Sequence, residues 1–172
     1  MQSYPSEHRE IVSALVDGRF VIYPNPTFVS LKLQEEEYRE FFMQSYGYEL
    51  VIDSEIAYLT STEGTEKRTR DFVLFLALLC RELDYSGKNF RDAIEVGVFD
   101  MAETEQMLRQ SSKWEVLEKT SVADFNEFIS IWHRKNVLFR AEGQFRFTKA
   151  VKIFFDFAVN VANAKLKEAE VA

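Results

Sequence analysis

Apolar positions along this chain keep two rhythms, one of three to four residues and one of two, and the second twice follows directly on the first. Glu7–Val16 has the spacing of a short amphipathic helix, closed by Asp17–Gly18. "RFVIY" at 19–23 predicts a short strand, stopped by Pro24–Pro26. From Leu33 to Tyr46 the helical period returns, with Tyr38, Phe41, Phe42 and Ser45 on one face and Gly47 as the stop. "YELVIDSEIAYLTS" then predicts a hairpin turning at Asp53–Ser54–Glu55, and the polar "STEGTEK" after it reads as a linker.

The second part of the chain repeats this order. Thr69–Leu83 is apolar nearly all round in its middle, the mark of a helix covered by several neighbours. "DYSGKN" is a turn, and Asp100 with Glu103 opens a helix over Met101–Gln110 in the manner of a capping box. Val122–Lys135 predicts a helix with Val122, Phe125, Ile129 and Trp132 inward, leaving Ala123, Glu127, Ser130 and Arg134 outward. A hairpin follows at once, Val137–Arg140 pairing with Gln144–Phe147; Arg146 points away from Phe145 and Phe147, and Arg140 is assigned to Arg146's face. Thr148–Leu166 is a last helix with a polar stripe at Lys149, Lys152, Asp156, Asn160, Asn163 and Lys167. Its wide apolar remainder includes Phe154, Phe155 and Phe157. That remainder suits a central core helix as well as one covered by a partner.

A helix running into a β-hairpin, twice, predicts an α+β, predominantly α-helical fold: a tandem winged helix, two helix-turn-helix modules each with a hairpin wing. The modules are placed at 1–62 and 68–172, with 63–67 as the linker.

Charge separates the two modules. The chain carries a formal net charge of −7, but residues 1–62 hold four cations against ten carboxylates, and residues 127–172 hold eight against five. A charge run is ordinarily a solvated face; asymmetry of sign is what raises contact with a polyanion. On the helix before the first wing, Glu35, Glu36, Glu37 and Glu40 stand against Arg39 and would repel phosphate, so that module is expected to contact protein. Arg134, Lys135, Arg140, Arg146, Lys149 and Lys152 cluster around the second wing. They suit phosphates without reading sequence, because the outward face lacks the Arg, Asn or Gln pairs that engage base edges.

Other chemistry finds little support. The six glycines form no phosphate-cradling motif, and His8, His133 and Cys80 do not make a zinc site. Asp84–Glu95 spans a calcium loop, but Lys88 and Asn89 occupy positions that need a ligand and a glycine. No catalytic constellation, cofactor or metal site is expected. The longest apolar run, Phe72–Cys80, is well short of the ~20 residues that cross a bilayer, and "MQSYPSEHRE" is unlike a secretory signal. A cytoplasmic protein is expected.

Three stretches carry a resemblance: "FVSLKLQEEEYREFFMQSYGYELVIDSEIAYLTS", "GVFDMAETEQMLRQ" and "FNEFISIWHRKNVLFRAEGQFRFTKAVKIFFDFAVNV". From Arg19 to Ala164 the chain resembles the MukE/MksE subunits of bacterial condensins, tandem winged-helix proteins of the kite class; without a long acidic tail it is closer to the compact MksE branch. The resemblance implies a non-enzymatic, nucleoid-associated homodimer. Its implied partners are a MukF/MksF-like kleisin, through it a MukB/MksB-like SMC-type ATPase, and DNA, bound weakly and without sequence preference. It implies dimerisation through the first module and DNA contact through Arg134, Lys135, Arg140 and Arg146, to which the charge pattern adds Lys149 and Lys152. The candidate partner surface is Phe154, Phe155 and Phe157, with Phe41 and Phe42. A stand-alone winged-helix regulator and an adaptor without DNA contact are the alternatives.

Overall fold

The computed structural model describes residues 4–60 and 67–158. In the first half, α1 (His8–Val16) leads to β1 (Val21–Ile22), α2 (Pro26–Leu33), α3 (Glu35–Tyr46), β2 (Glu49–Ile52) and β3 (Ile56–Thr60). The strands form an antiparallel sheet in the order β1-β3-β2. The second half runs α4 (Lys67–Tyr85), α5 (Phe90–Val96), β4 (Phe99–Asp100), α6 (Met101–Gln110), α7 (Phe125–Arg134), β5 (Leu138–Ala141) and β6 (Gln144–Phe147). Its sheet has the order β4-β6-β5, and α8 covers 151–158. Setting α5 and the closing α8 aside, both halves follow one order, α–β–α–α–β–β.

Several boundaries differ from the expectation, each for a local reason. "PNP" does end β1, but it also starts α2. Asn25 is the N-cap, its carboxamide oxygen accepting from the Thr27 N–H at 3.0 Å, and Pro26 fills the first turn where its missing N–H costs nothing. The helix expected to begin at Leu33 therefore starts at Glu35, and α2, separated from it at Gln34, was not anticipated. Ser45 lies exposed, while Tyr38 and Phe42 carry the inward face of α3. Gly47 ends α3 at φ +68°, a left-handed conformation that favours glycine. Helix α5 was not anticipated; Asn89, the last residue of the expected turn, caps it by accepting from the Arg91 N–H at 3.0 Å. The helix expected from Val122 starts at Phe125, after a 3₁₀ turn at Ser121–Ala123. Most of the linker, and Asn160, Asn163 and Lys167 of the last helix, lie outside the described residues.

Two apolar clusters hold the chain together. The smaller joins Ile11, Leu15, Phe28, Leu31, Tyr38, Phe42 and Leu50 within the first half. The larger is built on α4, with Phe72 in ring contact with Phe75, Phe128, Trp132, Phe147 and Phe154. It also takes in Phe20 and Ile56 from the first half, so the halves share apolar burial. A buried carboxylate fixes the approach to α7: Asp71 on α4 accepts from the Ser121 N–H at 3.0 Å and from its hydroxyl at 2.8 Å. Such bonds satisfy one oxygen of a group that is costly to bury, while its other oxygen has no hydrogen bond among the described residues and faces the Arg70 guanidinium at 3.8 Å.

Candidate nucleic-acid interface

Helix α7 runs directly into the β5–β6 hairpin. Asp124 caps it, accepting from the Glu127 N–H at 3.2 Å. Phe125, Phe128, Ile129 and Trp132 are buried, which turns Asn126, Glu127 and Arg134 outward with Ser130 half-buried between them. The expected outward set thus gains Asn126, while Ala123 is exposed on the preceding turn. Arg134 donates to the Glu127 carboxylate at 3.0 Å, an exposed pair that water and salt screen. Arg140 donates to the Ser130 hydroxyl at 2.5 Å, which lays its guanidinium along the same side of the helix.

The hairpin itself closes through Glu142 and Gly143, both at positive φ (+50° and +78°), the two-residue turn whose twist matches the strands. Its register corrects the assignment of Arg140. Leu138 pairs with Phe147, Phe139 with Arg146 and Arg140 with Phe145. Residues directly opposite one another share a face. Arg140 therefore lies on the side of Phe145 and Phe147, toward α7, and Arg146 lies on the other. The outer face instead pairs Arg146 with Phe139, the guanidinium sitting 5.4 Å from the ring centroid. Phe139 is 48% exposed, and the His133 ring meets it edge-on at 5.8 Å between centroids.

The rear cations accordingly form two sets about one hairpin. Arg134 and Arg140 follow α7. Arg146, Lys149 and Lys152 open into a cleft of about 1700 Å³ between the halves, which also exposes Arg19, Arg91 and Tyr23 to the same space. Lys135 is at the corner, where a β-carbon at Gly18 would come within 2.8 Å of its ammonium nitrogen. Lys149 forms an ion pair with Glu55, in the turn of the first hairpin. Lys152 is exposed, and its ammonium has no hydrogen-bond or ion-pair partner among the described residues.

The family model for condensin complex protein MksE matches residues 6–159, nearly the whole chain. The chain belongs to the MksE family. It is thus an accessory subunit of a bacterial condensin complex, from a family not known for catalysis. A search of the curated proteins gives no match.

In this MksE-family chain the aromatic candidates for a partner surface fall into unequal places. Phe42 is fully buried and Phe154 is 4% exposed, packed on Phe72, Trp132 and Phe20; both serve the cores and offer no face. Phe41 and Phe155 are half-buried, and Phe157 is exposed. Apolar exposure that the sequence did not single out lies on both halves, at Val29, Leu33, Met43 and Tyr46 in the first, with Leu33 81% exposed, and at Tyr85, Val96 and Val98 in the second. In the first half, Glu35 is held below the usual carboxylate range, first by its hydrogen bond from Lys32 and then by that from Arg39. Burial pushes the Cys80 thiol up to about 11 and the Tyr38 hydroxyl up to about 12, so neither ionises near neutrality. Among the described residues no group of three or more His, Cys, Asp and Glu side chains is placed to hold a metal ion. No described helix is long and apolar enough to cross a membrane.

Proposed function

We propose that this chain is a homodimeric, non-enzymatic tandem winged-helix subunit that binds a kleisin linker, joins an SMC-type ATPase through it, and rests one cationic wing on duplex DNA. The modules are 1–62 and 68–172 with 63–67 between them. The recurrence of one α–β–α–α–β–β order, each time with a three-stranded antiparallel sheet, supports the winged-helix reading. The first module serves dimerisation and protein contact, consistent with the acidic front of α3 and the exposed Val29, Leu33, Met43 and Tyr46. Phe41, Phe155 and Phe157 remain the aromatic candidates for the kleisin. The biological setting is chromosome organisation or plasmid restriction.

The DNA contact rests on one observation: cations flank the second wing on both sides, Arg134 and Arg140 along α7 and Arg146, Lys149 and Lys152 beyond it. Such groups neutralise phosphates wherever they lie along the duplex. Contacts of this sort give dissociation constants of ~10⁻⁴–10⁻⁶ M at physiological salt, weak enough to matter only beside other DNA-binding subunits. A stand-alone regulator draws its one support from Asn126, an amide on the outer face of α7 that suits an adenine edge.

Binding of random-sequence duplexes across a salt series tests the reading. We expect weak, steeply salt-dependent binding, and Arg146→Glu and Arg134→Glu should each weaken it and lower the salt slope by about 1 or more. Unchanged affinity in both variants would remove the wing from DNA contact. Tight binding to a selected site, lost in Asn126→Ala, would establish the regulator instead. Co-purification of a kleisin and an SMC-type ATPase with the chain from its host tests the partner assignment.

A further inference from the structure

The first half holds on to the second at the very positions where the cations lie. The Phe20 N–H donates to the Lys135 carbonyl at 2.9 Å, and the Asn136 carboxamide donates to the Phe20 carbonyl at 2.9 Å. Asn136 sits at φ +62°, a left-handed conformation that asparagine tolerates better than most side chains. Beyond this seam the Glu55 carboxylate meets the Lys149 ammonium across 94 residues of chain.

Exposed ion pairs usually contribute little, because two long side chains must be ordered to form them. Here both backbones are already fixed. The Glu55 N–H donates to the Asp53 carboxylate at 2.7 Å, as does the Ile56 N–H at 2.7 Å, and the Glu55 carbonyl accepts from the Tyr23 N–H at 2.8 Å. On the other side, the Thr148 hydroxyl bonds to the carbonyls of Asn136 at 2.6 Å and Val137 at 3.0 Å, anchoring the residue before Lys149. A carboxylate on a rigid turn is thus presented to a lysine on a rigid corner.

We propose that Glu55 is an intramolecular stand-in for a phosphate: the acidic turn of the first hairpin occupies Lys149 and tempers the hold of the second wing on DNA. The proposal rests on the DNA-contact reading above and adds its regulation. Lys149 joins the phosphate-contacting set only when it leaves Glu55, so whatever shifts the two halves at this seam changes the number of phosphates the wing neutralises.

The test is a salt series from about 50 to about 200 mM with a random-sequence duplex and the full chain. Glu55→Gln keeps the turn and removes the charge. It should bind about threefold tighter at the low-salt end, and its slope of log affinity against log salt should steepen by about 0.9, the value of one more phosphate neutralised. Glu95→Gln is the control: this exposed carboxylate lines the same cleft without an ion-pair partner among the described residues, and its slope should stay that of the parent. In a Lys149→Ala background, Glu55→Gln should no longer alter the slope. If Glu55→Gln behaves like Glu95→Gln while Arg146→Glu still loses binding, the stand-in is wrong and the DNA reading survives. If neither the parent nor Glu55→Gln binds duplex at low salt, both fall together.

Discussion

The hairpins β2–β3 and β5–β6 stand at equivalent places in two copies of one topology, yet they face different surroundings. The first turns at Asp53–Ser54–Glu55 and directs its acidic tip at the second half. The second turns at Glu142–Gly143, is flanked by Arg140 and Arg146, and keeps Phe139 half exposed. The helices before them differ in the same sense: α3 carries Glu35, Glu36, Glu37 and Glu40, and α7 ends in His133 and Arg134 before Lys135. A shared backbone places an outward helix and a wing. Under the proposed function, the charge mounted on them then decides whether a polyanion or a polypeptide is admitted.

The comparison is sharpest if the halves act as one body, and stability tests that first. Phe20 belongs to the larger core although it lies in the first half, touching Tyr58 at 5.3 Å and Phe154 at 6.0 Å between ring centroids. Phe20→Ala should cost about 3–5 kcal/mol, the range for emptying a buried aromatic site. Both tryptophans, Trp114 and Trp132, are in the second half, so their fluorescence reports that half alone. In urea, Phe20→Ala and Phe42→Ala should both lower the tryptophan-detected midpoint. A midpoint moved by Phe20→Ala and untouched by Phe42→Ala would mean that the halves unfold separately.

A smaller effect tests whether charge alone separates the two outward helices. Glu36 and Glu40 are exposed on α3, and Glu40 accepts only from Gln44 at 2.8 Å among the described residues. If the fold merely offers positions, Glu36→Lys with Glu40→Lys should raise random-duplex affinity at low salt by about tenfold, about 1.4 kcal/mol, and steepen the salt slope. An unchanged slope would show that α3 is covered, for example by a second copy of the chain, and that charge is not what keeps DNA away from it.

What could be read from residues alone follows how far each feature depends on distant chain. Helix α7 and its hairpin were legible because Phe125, Ile129 and Trp132 keep the helical period and "FRF" keeps the strand period. The face of Arg140 was not. Val137 and Leu138 are both buried, at 0% and 1% exposure, so alternation gives no unique starting point, and a one-residue slip turns every side chain over. Asn136 at positive φ makes the corner that places Val137 before the strand rather than in it. Strand β4 is two residues long and exists through its pairing with β6, a contact no local pattern announces. The cleft, and the meeting of Glu55 with Lys149, belong wholly to tertiary structure. Asn25–Pro26 was different: cap and first-turn proline were present in the sequence and were read only as a strand terminator.

The smallest effect asks how much of the acidic front on α3 is free for a partner. Glu35 is engaged within the chain: Lys32 donates to one carboxylate oxygen at 2.7 Å, and Arg39 donates to the other at 3.1 and 2.6 Å. Arg39 also reaches the Leu50 carbonyl at 2.5 Å, so the pair ties α3 to β2. Both partners favour the ionised form, which is why the Glu35 carboxyl lies below its ordinary 4.5. A depressed carboxylate stabilises the fold above its unfolded-state value, and that contribution is lost as pH falls through the folded value. Two helical-spacing pairs of about 0.2–0.5 kcal/mol each set the scale. Glu35→Gln should therefore lower the melting temperature slightly at neutral pH, and the difference from the parent should shrink through the acid range and vanish once the pH has fallen past the folded value. A gap that persisted into that acid range would mean that Glu35 acts through packing rather than charge. It would then leave Glu36, Glu37 and Glu40 as the exposed acidic edge of this face, with Glu35 counted among the residues that build the helix pair.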